Sequence, residues 1–405
     1  MTDTPATNLP TDVPPLRLKP REERRLQAGH LWVFSNEVDV AATPLAAFAP
    51  GQVAAVLSSR DRFLGYATVN PHTLIAARLV SRGVKERPGR ALLVRRLESA
   101  LALRRRYYER PFYRLAFGES DQLPGLVVDR YGDTCVAQLG TAGMDALRDA
   151  VLEALVRVVA PKAVLWKNDS TGRELEGLPR VIEAALGEVP ASVELEEGGV
   201  RFSVPLAGGQ KTGWFFDQAL NRASIARQCA GARVLDVFTY AGGFGLQAAR
   251  AGASAVTCVD SSAAALAAVG ATAAANGLAV AGLNGDASEV VGGLGRERRR
   301  FEVVIVDPPA FIKRRKDHAK GVAAYRRINQ LALQLVEPGG LLLSCSCSSH
   351  LAEGELVEAV QGAARHVDRF VQLVSSGGQA PDHPVHPAIP ETRYLKALTF
   401  RVTRA

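Results

Sequence analysis

The chain has 405 residues, 47% hydrophobic and 22% charged, a globular composition with enough apolar material for two or three domains at about 150 residues each. This excludes disordered, collagen-like and disulfide-stapled classes. Lys plus Arg exceed Asp plus Glu by 8 (49 against 41), a balance that suits an anionic partner, nucleic acid or an acidic membrane surface, or else a basic surface with no partner.

Five cysteines, Cys135, Cys229, Cys258, Cys345 and Cys347, are an odd, scattered set and argue against a secreted disulfide framework. No Cys/His spacing resembles a zinc ligand set, so no metal is expected. Residues 1–15 hold four prolines and no apolar core, the composition of a disordered lead-in and not of a signal peptide. The uncharged stretch 261–285 is Ala-rich and broken by Gly270, Asn276, Gly277 and Gly282. It reads as a buried helix and turn, not a membrane span. The expected location is the cytoplasm.

From about 16 to 82 a charged helical turn precedes the short runs VAAVLSS, FLGYATV and LIAARLV, the pattern of a small β-rich module. Its opening segment mixes Arg with His30, Trp32 and Phe34. That interleaving fits an RNA-facing surface, and equally a strand in which the rings alternate with Leu31 and Val33 as core. Next comes a basic helix with one apolar face, ALLVRRLESALALRRRYYER, then two strand-like runs joined by Tyr-Gly-Asp, a helix over 144–159 and the strand AVLWKND. This β-β-α-β order describes a compact α+β insert ending near Pro190. The Arg-rich stretch 95–110 is a second expected RNA contact.

Beyond residue 193 a hairpin (VELEEGG, VRFSVPL) leads into alternating strands and helices: a helix at 216–228, RVLDVF, a helix at 243–250, AVTCVD, a helix at 263–276, VVIVDPPAF, a helix at 325–335 and GGLLLSCSC. Such alternation implies a doubly wound parallel sheet with ligands at the carboxyl ends of its strands.

Three acids end successive strand-like segments around one glycine turn. Gly242 and Gly243 follow the strand that carries Asp236, with Tyr240 in the turn. Glycine lets the backbone approach a bound nucleoside closely. Asp260 ends the next strand, placed for ribose hydroxyls, and Asp286 follows the third, placed for an adenine amino group. The set describes an adenosine pocket. Residues 243–248 also match G-x-G-x-x-A, with Asp260 near the place of the dinucleotide acid, so a nicotinamide dehydrogenase is a rival; Asp236 inside the turn would repel a pyrophosphate. A glycine turn that only packs helix on strand is the structural alternative.

Asp307-Pro308-Pro309 with Phe311 ends an apolar strand. The prolines stiffen the backbone and remove donors, leaving a rim on which a flat base can stack and offer its amino group. An ordinary strand-ending turn has the same letters. Downstream, Cys345 and Cys347 lie two apart and so face one side of a strand, toward the pocket or toward core. A thiolate there has a specific use: added to cytosine C6, it makes C5 nucleophilic toward an electrophilic methyl group.

As an ordered set, Phe117-Gly-Glu-Ser-Asp-Gln-Leu-Pro-Gly-Leu-Val-Val-Asp-Arg-Tyr131, Gly209-Gln-Lys-Thr-Gly-Trp-Phe-Phe-Asp-Gln218, Tyr240-Ala-Gly-Gly-Phe244, Asp307-Pro-Pro309, Ser346-Cys-Ser348, Asp382-His-Pro384 and Tyr394-Leu-Lys396 resemble the RlmI-like family of large-subunit (23S) ribosomal RNA cytosine-C5 methyltransferases, from about residue 16 to the end. The resemblance implies a PUA domain over 16–88, an α+β module over 92–190 and a class I, Rossmann-like methyltransferase domain over 193–405 that uses S-adenosyl-L-methionine. It implies Cys347 as nucleophile with Asp307 as catalytic partner. Asp236, Tyr240, Gly242, Gly243, Asp260, Asp286 and Gln218 fall to the cofactor, and Pro308, Pro309, Phe311 and Lys211 to the substrate. The partner is ribosomal RNA, with no membrane and no metal, and the reading admits a homodimer. Cys345 departs from the family pattern, as does Ala219 after Gln218, where arginine is common. Guanine-N7 methylation, which the family grouping includes, and a non-catalytic ribosome-assembly factor are the competing functions.

Overall fold

The computed structural model describes residue 10, residues 12–209 and residues 212–405; most of the lead-in read at 1–15 lies outside them. The chain divides into two compact units. The first runs to Val193 and adds Val204–Trp214 and Pro381–Thr392; the second comprises Glu194–Ser203, Phe215–Ala380 and Arg393–Ala405.

The first unit holds two five-stranded sheets. β1 (Pro15–Arg17), α1 (Glu23–Gln27), β2 (Trp32–Phe34), β3 (Val53–Leu57), β4 (Phe63–Val69) and β5 (Ile75–Ser81) give the order β1-β3-β4-β5-β2. Leu16, Leu18, Val33, Val56, Val69 and Leu79 fill its core. Strand alternation sends Leu31 and Val33 inward and leaves Trp32 and Phe34 half-buried. These rings meet edge to face at 6.5 Å, Arg25 lies 4.6 Å over Phe34, and the Trp32 indole donates to Glu119 at 2.8 Å. The buried strand residues are thus the aliphatic ones, and the aromatics are engaged within the unit.

The second sheet follows α2 (Arg90–Arg104) and comprises β6 (Phe112–Phe117), β7 (Leu126–Tyr131), β8 (Thr134–Leu139), β9 (Ala163–Asn168) and β10 (Val181–Leu186) in the order β10-β9-β8-β7-β6, with α3 (Ala142–Ala146), α4 (Arg148–Val159) and α5 (Gly172–Leu175). The sequence pattern missed β6 and β10; β10 is an edge strand, largely exposed, with no hydrophobic alternation to betray it. Leu93, Leu97 and Leu101 of α2 pack on this sheet. The reading of 95–110 as an RNA-contacting stretch needs correction at Arg104. Its side chain is fully buried, paired with Asp121 through two bonds of 2.6 and 2.7 Å, and it donates to the carbonyls of Arg114 and Asp382. Its charge is spent inside the unit, and the helix ends there. Asp382 also accepts from the Arg114 amide at 2.8 Å, so the Asp-His-Pro motif is a structural tie of this unit.

A hairpin of β11 (Ser192–Glu197) and β12 (Val200–Pro205) precedes the second unit's sheet. There α6 (Ala219–Ala226), β13 (Arg233–Val237), α7 (Gly243–Arg250), β14 (Ala255–Asp260), α8 (Ala263–Ala275), β15 (Ala281–Asn284), α9 (Ala287–Arg296), β16 (Phe301–Val306), α10 (His318–Leu335) and β17 (Val336–Ser346) alternate, α9 being a helix that the sequence pattern missed. Beyond the last expected strand follow α11 (Glu353–His366), β18 (Arg369–Gly377) and β19 (Lys396–Arg404). The strand order is β15-β14-β13-β16-β17-β19-β18, with β19 antiparallel to both neighbours and the rest parallel. The order reverses between β13 and β16. At such a switch point the carboxyl ends of two strands diverge and leave a crevice.

Two readings change here. α8 is not a buried helix: only Val269 and Ala273 are buried, because it covers one face of the sheet and its alanines turn outward, favoured by helix propensity. α10 begins at His318, seven residues before the apolar pattern announces it.

Candidate active site

β13 is buried on both faces and ends in a loop whose backbone is forced into left-handed conformations at Phe238 (φ 67°), Tyr240 (φ 48°) and Gly242 (φ 78°). Non-glycine residues adopt such angles only when the surroundings hold them there. Asp236 provides one hold: it is fully buried, and its Oδ2 accepts from the Thr239 hydroxyl at 2.5 Å and the Gly245 amide at 2.9 Å, while its Oδ1 has no hydrogen-bond partner. Burial pushes its carboxyl up to about 6. Asp260 provides another, its Oδ2 accepting from the Tyr240 amide and its Oδ1 from the Ser262 amide, each at 2.9 Å. Gly242 caps α7, and a Cβ there would stand 2.8 Å from Leu246. Asp286 is exposed and caps α9, Oδ1 accepting from Ser288 and Glu289.

The other half of the crevice is built from β16 and β17. Asp307 follows β16 and keeps only a small open surface. Burial, then the charges of Asp217 and Asp236, push its carboxyl up to about 7. Pro308 is buried and Pro309 exposed. Phe311 packs at 4.8 Å on Tyr325 and 6.5 Å from Phe238, so its ring is anchored. Gln218 is buried and interacts with both Asp307 and Cys345, while its Oε1 accepts from Asn221 at 2.6 Å.

The two cysteines separate by depth. Cys345 is fully buried within β17, and burial drives its thiol well above the ordinary value. Cys347 lies one residue beyond the strand, partly exposed, its thiol donating to the Pro308 carbonyl at 3.9 Å. The flanking serines are clamped: Ser346 Oγ donates to the Tyr325 hydroxyl at 2.9 Å, and that hydroxyl meets Ser348 Oγ at 2.9 Å.

The structure therefore gathers Asp236, Tyr240, Gly242, Gly243, Asp260, Asp286, Gln218, Asp307, Pro308, Pro309, Phe311 and Cys347 around the carboxyl ends of one sheet. Lys211 lies outside the described residues. Sequence reasoning missed Thr239, Tyr325 and Asp217, whose Oδ2 accepts from the Tyr394 hydroxyl. Nothing marks Tyr325 in the sequence, while Thr239 directly precedes Tyr240 of the glycine turn and Asp217 lies inside the 209–218 segment already read. No helix among the described residues is long and apolar enough to cross a membrane.

This strand order, with a glycine loop at the switch point and acids ending the first two parallel strands, defines a class I methyltransferase, and the chain belongs to the S-adenosylmethionine-dependent methyltransferase family, whose model matches residues 169–401. A PUA-like domain model matches residues 16–82. The cofactor is S-adenosyl-L-methionine. Within that family the chain groups with curated proteins named ribosomal RNA large subunit methyltransferase I: it is 37% identical over 396 residues to that of Shewanella denitrificans and 36% identical over 396 residues to that of Shewanella frigidimarina, in each case over 96% of this chain and 99% of the relative. Two solved structures provisionally described as methyltransferases, one from Streptococcus mutans and one complexed with S-adenosylhomocysteine, share the fold. Their TM-scores are 0.81 and 0.82 at 21% identity, over 96% of this chain and 100% of each.

Proposed function

We propose that the protein forms 5-methylcytosine in large-subunit (23S) ribosomal RNA, with Cys347 as the nucleophile that activates the base. One observation carries the reading: of five free cysteines, Cys347 alone is partly exposed, and it sits beside the Asp307-Pro308-Pro309 rim. The names of the curated relatives support the substrate.

The site fits the cofactor. A side chain at Gly242 would crowd Leu246 and Val269, so the loop is built without one, which suits close approach of backbone to ligand. Asp260 uses one bond from each oxygen and retains lone pairs for ribose hydroxyls. Gly242, Gly243, Tyr240 and Asp260 would hold the amino acid and ribose portions and Asp286 the adenine, with Asp236 and Gln218 behind them. When bound, the cofactor supplies an electrophilic methyl group.

The chain's own residues do the rest. Pro308, Pro309 and Phe311 receive the flipped base. Cys347 thiolate adds to C6, forming a C–S bond and passing the ring electrons toward N3. Asp307, near neutrality, holds a proton to give there. Once C5 carries the methyl group, Asp307 takes the N3 proton back, and loss of the C5 proton to water breaks the C–S bond, expels the thiolate and restores the ring.

RNA containing 5-fluorocytosine tests this directly, because fluorine at C5 cannot leave as a proton and the adduct accumulates. A covalent complex that survives denaturation, absent in Cys347→Ala, is expected. Transfer without any adduct favours guanine-N7 methylation, which needs no thiolate; absence of cofactor binding favours a non-catalytic assembly factor.

A further inference from the structure

Lys396 begins β19 opposite Ser346 of β17, the residue before Cys347. Its ammonium donates to the carbonyl of Ser348, the residue after the cysteine, at 2.6 Å, and to the carbonyl of Tyr394 at 2.8 Å. The residue is 6% exposed. A lysine this buried loses most of its hydration, and two neutral carbonyls return only part of that loss. Burial accordingly lowers its pKa to about 8, opposed first by the charge of Cys347 and then by Glu353 and Glu355, with Arg393 acting the other way. The two glutamates have other partners: Glu355 pairs with His318 at 2.9 Å and accepts from the Ala352 amide, and Glu353 accepts from the Ser376 hydroxyl. Tyr325, bonded to both serines, also faces the cysteine loop, and burial holds it protonated. Asp307, next to the Pro308 carbonyl that the Cys347 thiol meets, and the thiol of Cys345 face it too, and burial pushes both upward.

We propose that Lys396 is a positioning residue for the thiolate of Cys347, fixing the backbone after the cysteine and supplying the cation that favours its ionised form. This rests on the reading of Cys347 as the nucleophile. A cation near a thiol lowers its pKa and raises its reactive fraction at neutral pH. The proton leaves to solvent on the cysteine's exposed side.

The test is alkylation of the full-length protein with iodoacetamide as a function of pH, in which the thiolate displaces iodide and forms a C–S bond. Tandem mass spectrometry reads Cys347 separately from Cys345. Lys396→Met is expected to raise the pH midpoint by about one unit and slow alkylation about tenfold at pH 7, while Lys396→Arg stays near the native midpoint. S-adenosylmethionine affinity, measured calorimetrically, should remain within about threefold in both if the fold is kept. An unchanged midpoint in Lys396→Met, or an Arg variant shifted upward as far as Met, overturns the proposal. Should the Met variant not fold, the Arg variant decides alone, a native midpoint supporting the role of charge and an upward shift refuting it. RNA takes no part in the assay, so its outcome is independent of which base the enzyme modifies.

Discussion

The thiol of Cys347 and the carbonyl of Pro308 lie 3.9 Å apart although 39 residues separate them in the chain. β16 and β17 are parallel neighbours, with Val306 beside Ser344, so both motifs emerge at the same edge. This contact makes one site of two features that are unrelated in sequence.

Because Cys345 is enclosed and Cys347 is not, their substitutions should diverge. Cys347→Ala should abolish methyl transfer to ribosomal RNA while leaving cofactor affinity intact. Cys345→Ser should retain most activity and lower stability by about 1 kcal/mol, the usual cost of a polar atom at a buried site. Filter binding of labelled methyl groups and chemical denaturation separate the two effects.

The carboxyl of Asp307 is raised in the folded state to about 7 from an ordinary 3.8. A raised folded value stabilises at low pH, and that contribution is lost as pH climbs through the folded value. Asp307→Asn removes the titration. Its stability relative to the native chain should therefore grow between about pH 4 and 7, by roughly 4 kcal/mol at most, and then level off. Denaturation midpoints across that range would show a flat difference if the carboxyl titrates normally.

Gly245 lies in the first turn of α7, where an added Cβ would stand 2.7 Å from Cys258 Sγ and 3.1 Å from Asp236 Oδ2. Both neighbours are buried in strands and cannot retreat. Gly245→Ala should displace the loop, cost roughly 1–3 kcal/mol and weaken S-adenosylmethionine binding at least about tenfold. Calorimetric titration reads the second effect.

Arg104 offers a contrast between charge on the surface and charge in the core. Arg104→Met would leave Asp121 buried without its cation, a loss of roughly 3–5 kcal/mol. The salt dependence of RNA binding by the folded protein should not change, since a buried guanidinium neutralises no phosphate. A reduced salt slope would show that Arg104 reaches RNA after all.

Much of this was legible beforehand because parallel strands announce themselves: the expected and observed bounds coincide for α7 and β14. The acids and the Asp-Pro-Pro rim were readable because they end those strands. What escaped depended on tertiary position. β10 has no alternation to detect, Tyr325 acts through a hydroxyl that meets serines 21 and 23 residues away, and Arg104 resembles its exposed neighbours Arg105 and Arg106 in every local respect. Depth alone separates Cys345 from Cys347, and strand parity could not supply it.

The central claim is tested most directly by mapping the product. Ribosomal RNA from cells with and without the gene, digested and analysed by mass spectrometry with bisulfite sequencing of the large-subunit RNA, should differ by one 5-methylcytosine, restored by the native gene and not by Cys347→Ala. A methyl group found on guanine N7 instead, or a 5-methylcytosine that persists with Cys347→Ala, would contradict the account.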